Sequence, residues 1–213
     1  MVRTEESATG IALFDEVYVV TYSDVIEEAM QQAGGKVVRS QQEHNSGSDR
    51  IAEAVTDRKA DVVVNVQGDE PFIDKESLAK VIQVFHEDKK NEIDLASIMT
   101  PISAWDQISN PNTVKVIVDR LNFALYFSRS PIPYPRDENI QAPYYKHVGI
   151  YAFRKSALLD FKKMPMLPLE AKEKIEAIRF LEYGKKIKMV ETEAIGIGID
   201  APEDLEKARS AWK

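Results

Sequence analysis

Along this chain, short runs of β-branched residues alternate with stretches in which apolar positions recur every three or four residues. The densest run, Val62-Val63-Val64-Asn65-Val66, predicts a strand buried on both faces, as in a parallel sheet. A polar turn, Gln67-Gly68-Asp69-Glu70-Pro71, follows it. In an open α/β sheet ligands sit beyond the carboxyl ends of the strands, so Gln67, Asp69 and Glu70 project where a site would be. Before this run the pattern predicts a helix over 2–9 closed by Gly10 and a strand over 16–21. A helix over 25–33 follows, capped by Asp24 and ended by Gly34-Gly35, then a strand over 36–38. The polar loop His44–Arg50 leads into a helix over about 48–59, for which Ser48 is the candidate cap. After the central run come a helix over about 75–89 and a strand over 93–99. This alternation is the sign of βαβ units and a mostly parallel sheet.

The middle of the chain changes character. Val114–Val118 and Phe123–Arg129 predict two strands about a turn, hence antiparallel, and prolines at 131, 133, 135 and 143 mark an extended loop. His147–Phe153 predicts another strand, Pro168 opens a helix over about 168–183, and Ile187–Glu191 is a strand. Asp200-Ala201-Pro202-Glu203 predicts the start of a last helix. The sheet is therefore mixed.

Composition removes several classes. A length of 213 residues with 44% hydrophobic and 30% charged positions suits one domain over 1–213. No run of apolar residues is long enough for a membrane span, and the acidic start Val-Arg-Thr-Glu-Glu-Ser shows no secretory signal. The absence of cysteine excludes disulfides and thiolate metal sites and fits the cytoplasm. A net charge of −7 argues against a nucleic-acid partner, which needs a basic stripe. A small anionic substrate then needs local Arg, Lys or metal.

The candidate chemistry centres on Asp69 and Asp200. Each follows an apolar strand, and two carboxylates converging at a sheet edge suit a hard divalent cation such as Mg²⁺, which bridges phosphates. Singly, Asp69 also reads as a turn residue and Asp200 as a helix cap. Ser46-Gly47-Ser48-Asp49-Arg50 offers hydroxyls, a permissive backbone and a guanidinium for an anion or the edge of a base. Arg129, closing its strand, can pair with a carboxylate. His147 lies in an apolar strand, where a lone His is more often a hydrogen-bonded core residue. Glu170, Glu173 and Glu176 fall on one helical stripe, expected to be solvated. Gly196–Ala201 resembles a dinucleotide fingerprint but lacks the βαβ context, so NAD binding is rejected.

Asn65-Val66-Gln67-Gly68-Asp69-Glu70-Pro71 closely resembles the 3-deoxy-manno-octulosonate (Kdo) cytidylyltransferases, the CMP-Kdo synthetases of lipopolysaccharide assembly. Ser46–Arg50, Asn110–Val116, Tyr126-Phe127-Ser128-Arg129, His147–Tyr151, Pro168-Leu169-Glu170 and Gly198–Leu205 extend the resemblance over essentially the whole chain, in the same order. It implies a three-layer α/β sandwich of the nucleotide-diphospho-sugar transferase type, with a mixed, mostly parallel sheet and an antiparallel dimerisation excursion. The implied reaction is CTP plus Kdo giving CMP-Kdo and pyrophosphate, in a cytoplasmic homodimer. Asp69 and Asp200 would hold Mg²⁺ as the catalytic pair, and Ser46, Gly47 and Arg50 would line the cytidine side. Gln67, Arg129, His147, Tyr151 and Glu176 would face the sugar. The chain departs from the family in three places. The family's opening strand and Pro-Ala-Arg…Ser-Arg…Pro-Gly-Lys loop, a triphosphate cradle, are not in this sequence, which implies an N-terminally shortened domain. Tyr22 stands where the family usually has Asp, and Ala177 where it often has Gln. Two other functions compete: CMP activation of a related acidic sugar such as sialic acid, and a non-catalytic nucleotide or sugar-acid binder.

Overall fold

Strand β7 (Tyr144–Arg154) is the seam of the fold. One of its edges pairs with β4 (Leu95–Ile102), and the other takes β3 (Val62–Val66) along 150–154 and β5 (Lys115–Val118) at 145–146, all antiparallel. β6 (Ala124–Ser128) adds antiparallel to β5, and β8 (Ile187–Glu191) parallel to β4. This six-stranded sheet is mixed, as expected. "Mostly parallel" holds for strand direction, since β3, β4, β5 and β8 run one way, but not for pairing, because β7 runs against three of its neighbours. A separate parallel pair joins β1 (Val19–Thr21) to β2 (Val37–Arg39). The computed structural model describes residues 1–213 except 45, 69, 73, 138, 141, 194–205, 207 and 211–213.

Helices cover both faces of the large sheet and make the three layers. Residues alternate across a strand, so Leu95 and Met99 of β4 share one face with Tyr151 and Phe153 of β7. There they meet Ala52 of α3 (Gly47–Val55), Leu158 and Phe161 of α6 (Lys155–Phe161), and Ile178 and Phe180 of α8 (Ala177–Glu182). Ala96, Ile98, Ile150 and Ala152 face the other way, onto Leu78, Val81 and Phe85 of α4 (Lys75–Glu87). Ile11, which follows α1 (Val2–Gly10), belongs to that second core. α2 (Asp24–Gln32) lies between β1 and β2 in the chain, and the short α5 (Trp105–Ser109) precedes β5.

Several local expectations need correction. β3 is not buried on both faces: β7 is its one strand partner among the described residues, and Val62, Val63, Val64 and Val66 stay partly exposed. α2 is preceded by Ser23 at the cap position, with Asp24 in its first turn. α3 is capped by Ser46 rather than Ser48: its hydroxyl accepts from the Asp49 amide at 3.2 Å. The helix expected over 168–183 is two, α7 (Pro168–Glu173) and α8, parted where Lys174 turns left-handed at φ 55°. The cap at Asp200 and the glycine stretch 196–201 lie outside the described residues.

Candidate active site

Between the residues of β7 paired to β3 and those paired to β5, the edge of β7 is left to a cavity of about 560 Å³. β3 delivers Gln67 from its C-terminal end, and Val114 enters just before β5. His147, Gly149 and Tyr151, alternating along β7, supply one wall. The approach at Gly149 is close: a β-carbon there would sit 3.3 Å from Cδ of Gln67, so the Gln67 side chain would have to give way by a few tenths of an ångström. Ser46 borders the cavity from the start of α3, Arg129 from the end of β6, and Glu170, Lys174 and Glu176 from the α7–α8 segment. Of the sequence-predicted residues, Ser46, Gln67, Arg129, His147, Tyr151 and Glu176 are thus brought together. Asp69 and Asp200 lie outside the described residues.

Two expected residues sit apart. Gly47 does not line the cavity, and a β-carbon on it would meet the Asn65 amide at 3.8 Å. Arg50 also points elsewhere: its guanidinium lies 5.1 Å from the centre of the Tyr22 ring, and its buried Nε has no hydrogen-bond partner among the described residues. The Tyr22 ring thus faces the cation through its π-cloud.

Backbone carbonyls fix Arg129 at the cavity and Lys115 behind it. Arg129 donates from Nε to Glu173 O at 2.7 Å, from Nη1 to Pro111 O at 2.9 Å and from Nη2 to Lys174 O at 3.5 Å. Three of its five N–H groups are thereby engaged among the described residues. Lys115, fully buried, donates to the carbonyls of Asn110, Thr113 and Arg129 at 2.9, 2.5 and 2.6 Å, and burial lowers its pKa. That ammonium ties the Asn110–Thr113 loop, which brings Asn112 to the cavity, to the strand end that carries Arg129.

The carboxylate stripe is not a solvated face. Glu170 forms a buried two-point pair with Arg179, at 2.6 Å from both Nε and Nη2. Glu173 accepts from Ser128 Oγ at 2.8 Å and from the Arg129 amide at 2.9 Å. Glu176 accepts from Ser48 Oγ at 3.0 Å and its amide at 3.3 Å, so the first turn of α3 is pinned to the cavity wall. Burial raises the Glu176 pKa against the opposing pull of the Ser48 hydrogen bonds. Tyr151 is raised well above its ordinary value by burial and then by Glu176, while burial and the Lys146 charge push His147 down to about 3. His147 is thus a neutral, hydrogen-bonded residue, as a lone strand histidine suggests, and it lines the cavity as well.

Sequence reasoning missed Asn112, Lys146 and Lys174, which also line the cavity, and Ser97, which touches His147. Two carried a signal: Asn112 lies inside the motif Asn110–Val116, and Ser97 is a polar residue inside the apolar run Leu95-Ala96-Ser97-Ile98-Met99. Among the described residues no group of three or more His, Asp or Glu is arranged to hold a metal ion.

A family model described as cytidylyltransferase matches residues 1–187. A 3-deoxy-manno-octulosonate cytidylyltransferase of Christiangramia forsetii is 63% identical over 207 residues, covering 97% of this chain and 84% of that protein. One from Flavobacterium johnsoniae is 57% identical over 210 residues, covering 99% and 86%. The solved structure of a CMP:2-keto-3-deoxy-manno-octonic acid synthetase complexed with CTP superposes with a TM-score of 0.89 at 38% identity, covering 98% of this chain and 85% of that one.

Proposed function

The chain belongs to the cytidylyltransferase family, and from that premise we propose that it transfers CMP from CTP to Kdo, releasing pyrophosphate and making CMP-Kdo for lipopolysaccharide biosynthesis. The observation that carries this reading is the gathering of Gln67, Arg129, His147, Tyr151 and Glu176, scattered in sequence, around one cavity that Ser46 also borders. It is the pocket of an acidic sugar: Arg129, Lys146 and Lys174 offer positive charge for a carboxylate, while Gln67 and Glu176 offer polar groups for hydroxyls. The anomeric hydroxyl of Kdo attacks the α-phosphorus of CTP in line, forming the new P–O bond as the bond to pyrophosphate breaks. The chain's own part is positioning: the cavity holds the attacking sugar, and Ser46, Gly47 and Arg50 serve the cytidine side.

We read 1–213 as one nucleotidyltransferase domain. Asp69 and Asp200 are the proposed catalytic pair and ligands of Mg²⁺, which would neutralise charge on the triphosphate oxygens. The protein is proposed to work in the cytoplasm as a homodimer, and the exposed apolar side chains of Leu125 on β6 and of Tyr134 and Ile140 in the proline loop suit a contact between two copies. No helix among the described residues is long and apolar enough to cross a membrane.

The test is CTP-dependent pyrophosphate release with Kdo and with sialic acid side by side. Release with Kdo is expected, and release with sialic acid alone would overturn the substrate. Calorimetric binding without turnover would favour the non-catalytic binder. In a version carrying the family's opening strand and loop, Asp69→Asn and Asp200→Asn should each abolish Mg²⁺-dependent turnover while leaving the circular dichroism unchanged, and wild-type rates in either would refute the metal assignment.

A further inference from the structure

β7 bulges away from β4 within the wall of the cavity. The register steps from Ser97↔Tyr151 to Ile98↔Val148, so Gly149 and Ile150 have no Cα partner on β4. Ser97, fully buried, fills the gap with its hydroxyl: Oγ lies 2.7 Å from Ile150 O, 3.3 Å from Val148 O and 3.0 Å from His147 Nε2.

A hydroxyl owns one proton, and that fixes the direction of every bond here. Carbonyls can only accept, so the Ser97 proton goes to the near one, Ile150 O. Oγ can then only accept from His147, which requires the hydrogen on Nε2. Were Nε2 bare instead, the imidazole and Ile150 O would compete for one proton, and a buried acceptor would be stranded. A neutral imidazole carries a single N–H, so Nδ1 keeps a lone pair. The ring is neutral at physiological pH, because burial and the Lys146 charge hold its pKa near 3. Phe127, edge-on at 4.9 Å, and Tyr151, tilted at 5.3 Å, brace the ring plane. His147 lines the cavity, and Nδ1 has no hydrogen-bond partner among the described residues.

We propose that Ser97 is a positioning residue that sets the tautomer of His147, so that the cavity presents Nδ1 as an acceptor for a hydroxyl of the bound sugar acid and not as a donor to its carboxylate. The identity of the ligand rests on the function proposed above; the tautomer does not. Carboxylate recognition is thereby left to Arg129, Lys146 and Lys174, and His147 becomes a test for a hydroxyl at one place in the substrate. A site that hydrogen-bonds a substrate hydroxyl discriminates strongly against an analogue lacking it, since its buried polar group is then left unpaired.

Long-range proton–nitrogen correlation spectra of protein labelled with nitrogen-15 histidine distinguish the tautomers without ligand or turnover. The chain has three histidines, and His147→Gln assigns the relevant ring. The expected result at neutral pH is a neutral His147 with its proton on Nε2. Ser97→Ala should abolish that fixed tautomer and raise KM for Kdo on the order of tenfold, with KM for CTP little changed. Ser97→Thr, which returns the hydroxyl, should restore the ring signals and the KM. A proton on Nδ1 in the wild-type protein, or an unaltered ring in Ser97→Ala, overturns the proposal. A fixed Nε2–H tautomer lost in Ser97→Ala, in a protein that neither binds nor activates Kdo, keeps the tautomer assignment and overturns the sugar-acid reading instead.

Discussion

The most consequential single contact outside the proposed chemistry is the pair between Arg179 and Glu170. Both side chains are almost wholly buried, and they meet through two parallel hydrogen bonds of 2.6 Å. The guanidinium also lies 4.0 Å from the centre of the Phe161 ring and reaches Asp49 at 3.5 Å, so it joins α7, α8, α6 and α3. Removing one partner of such a pair leaves a charge in a dry place, which costs far more than the intact pair contributes. Glu170→Gln should therefore lower unfolding free energy by about 3–5 kcal/mol in a urea titration, and a change below about 1 kcal/mol would show that water reaches Arg179. Helical spacing in the sequence puts Glu170, Glu173 and Glu176 on one stripe but cannot say what covers it. The cover comes from residues remote in the chain, Ser48, Ser128 and Arg129, with Arg179 beyond the helix break. Gln67, Arg129, His147 and Tyr151, by contrast, were legible because each stands inside a motif whose order the fold preserves.

Helix starts show the same division at the next scale. The residue type of a cap is readable, while its position is decided by where the backbone leaves the extended region, which can shift by a residue or two. Ser46 and not Ser48 caps α3 because the backbone is still extended at Ser46, at φ −143° and ψ 163°, while Ser48 lies inside the helix and turns its Oγ to Glu176. The break at Lys174 was invisible for a related reason: lysine rarely turns left-handed, and here the Lys174 amide closes α7 onto Glu170 O at 2.8 Å. α4 gives the cleanest test, since its cap Asp74, which does not line the cavity, accepts from the Ser77 amide at 2.7 Å. Asp74→Ala should cost about 1 kcal/mol at neutral pH. Hydrogen bonds from Ser77 hold the Asp74 pKa below its ordinary value of 3.8, more than offsetting the effect of burial. A depressed carboxyl pKa gives stability that is present above the unfolded value and lost as pH falls through the folded one. The difference between wild type and Asp74→Ala should hence be constant above about pH 5 and shrink below it; urea titrations across that range check both parts.

For the whole molecule, the pattern of strands and helices gave the mixed sheet and the helices on either face, because burial periodicity survives any rearrangement of strand order. Strand order itself was not legible. It depends on β7 taking partners on both edges, and nothing local to Tyr144–Arg154 says that β3 and β5 will share one of them. The strands also divide into two sheets, and that has a consequence for dynamics. β1 and β2 are joined by three residue pairs, and their buried Val19 and the buried Met30 of α2 belong to neither large core cluster. The unit 18–40 thus rests on fewer apolar contacts than the strands around β7, and cooperative units of that kind open at free energies below global unfolding. Native-state hydrogen exchange should show it. The amides of Val19, bonded to Lys36 O, and of Ser40, bonded to Thr21 O, are expected to exchange together through a sub-global opening, while β4 and β7 amides wait for complete unfolding. Adding denaturant should shift the two groups with different slopes, the smaller belonging to 18–40, because less surface is exposed when that unit opens alone. Equal free energies and equal slopes for both groups would mean that the small sheet is folded into the same cooperative unit as the large one. Arg50, seated over Tyr22 just after β1, would in that case be held as rigidly as the cavity itself.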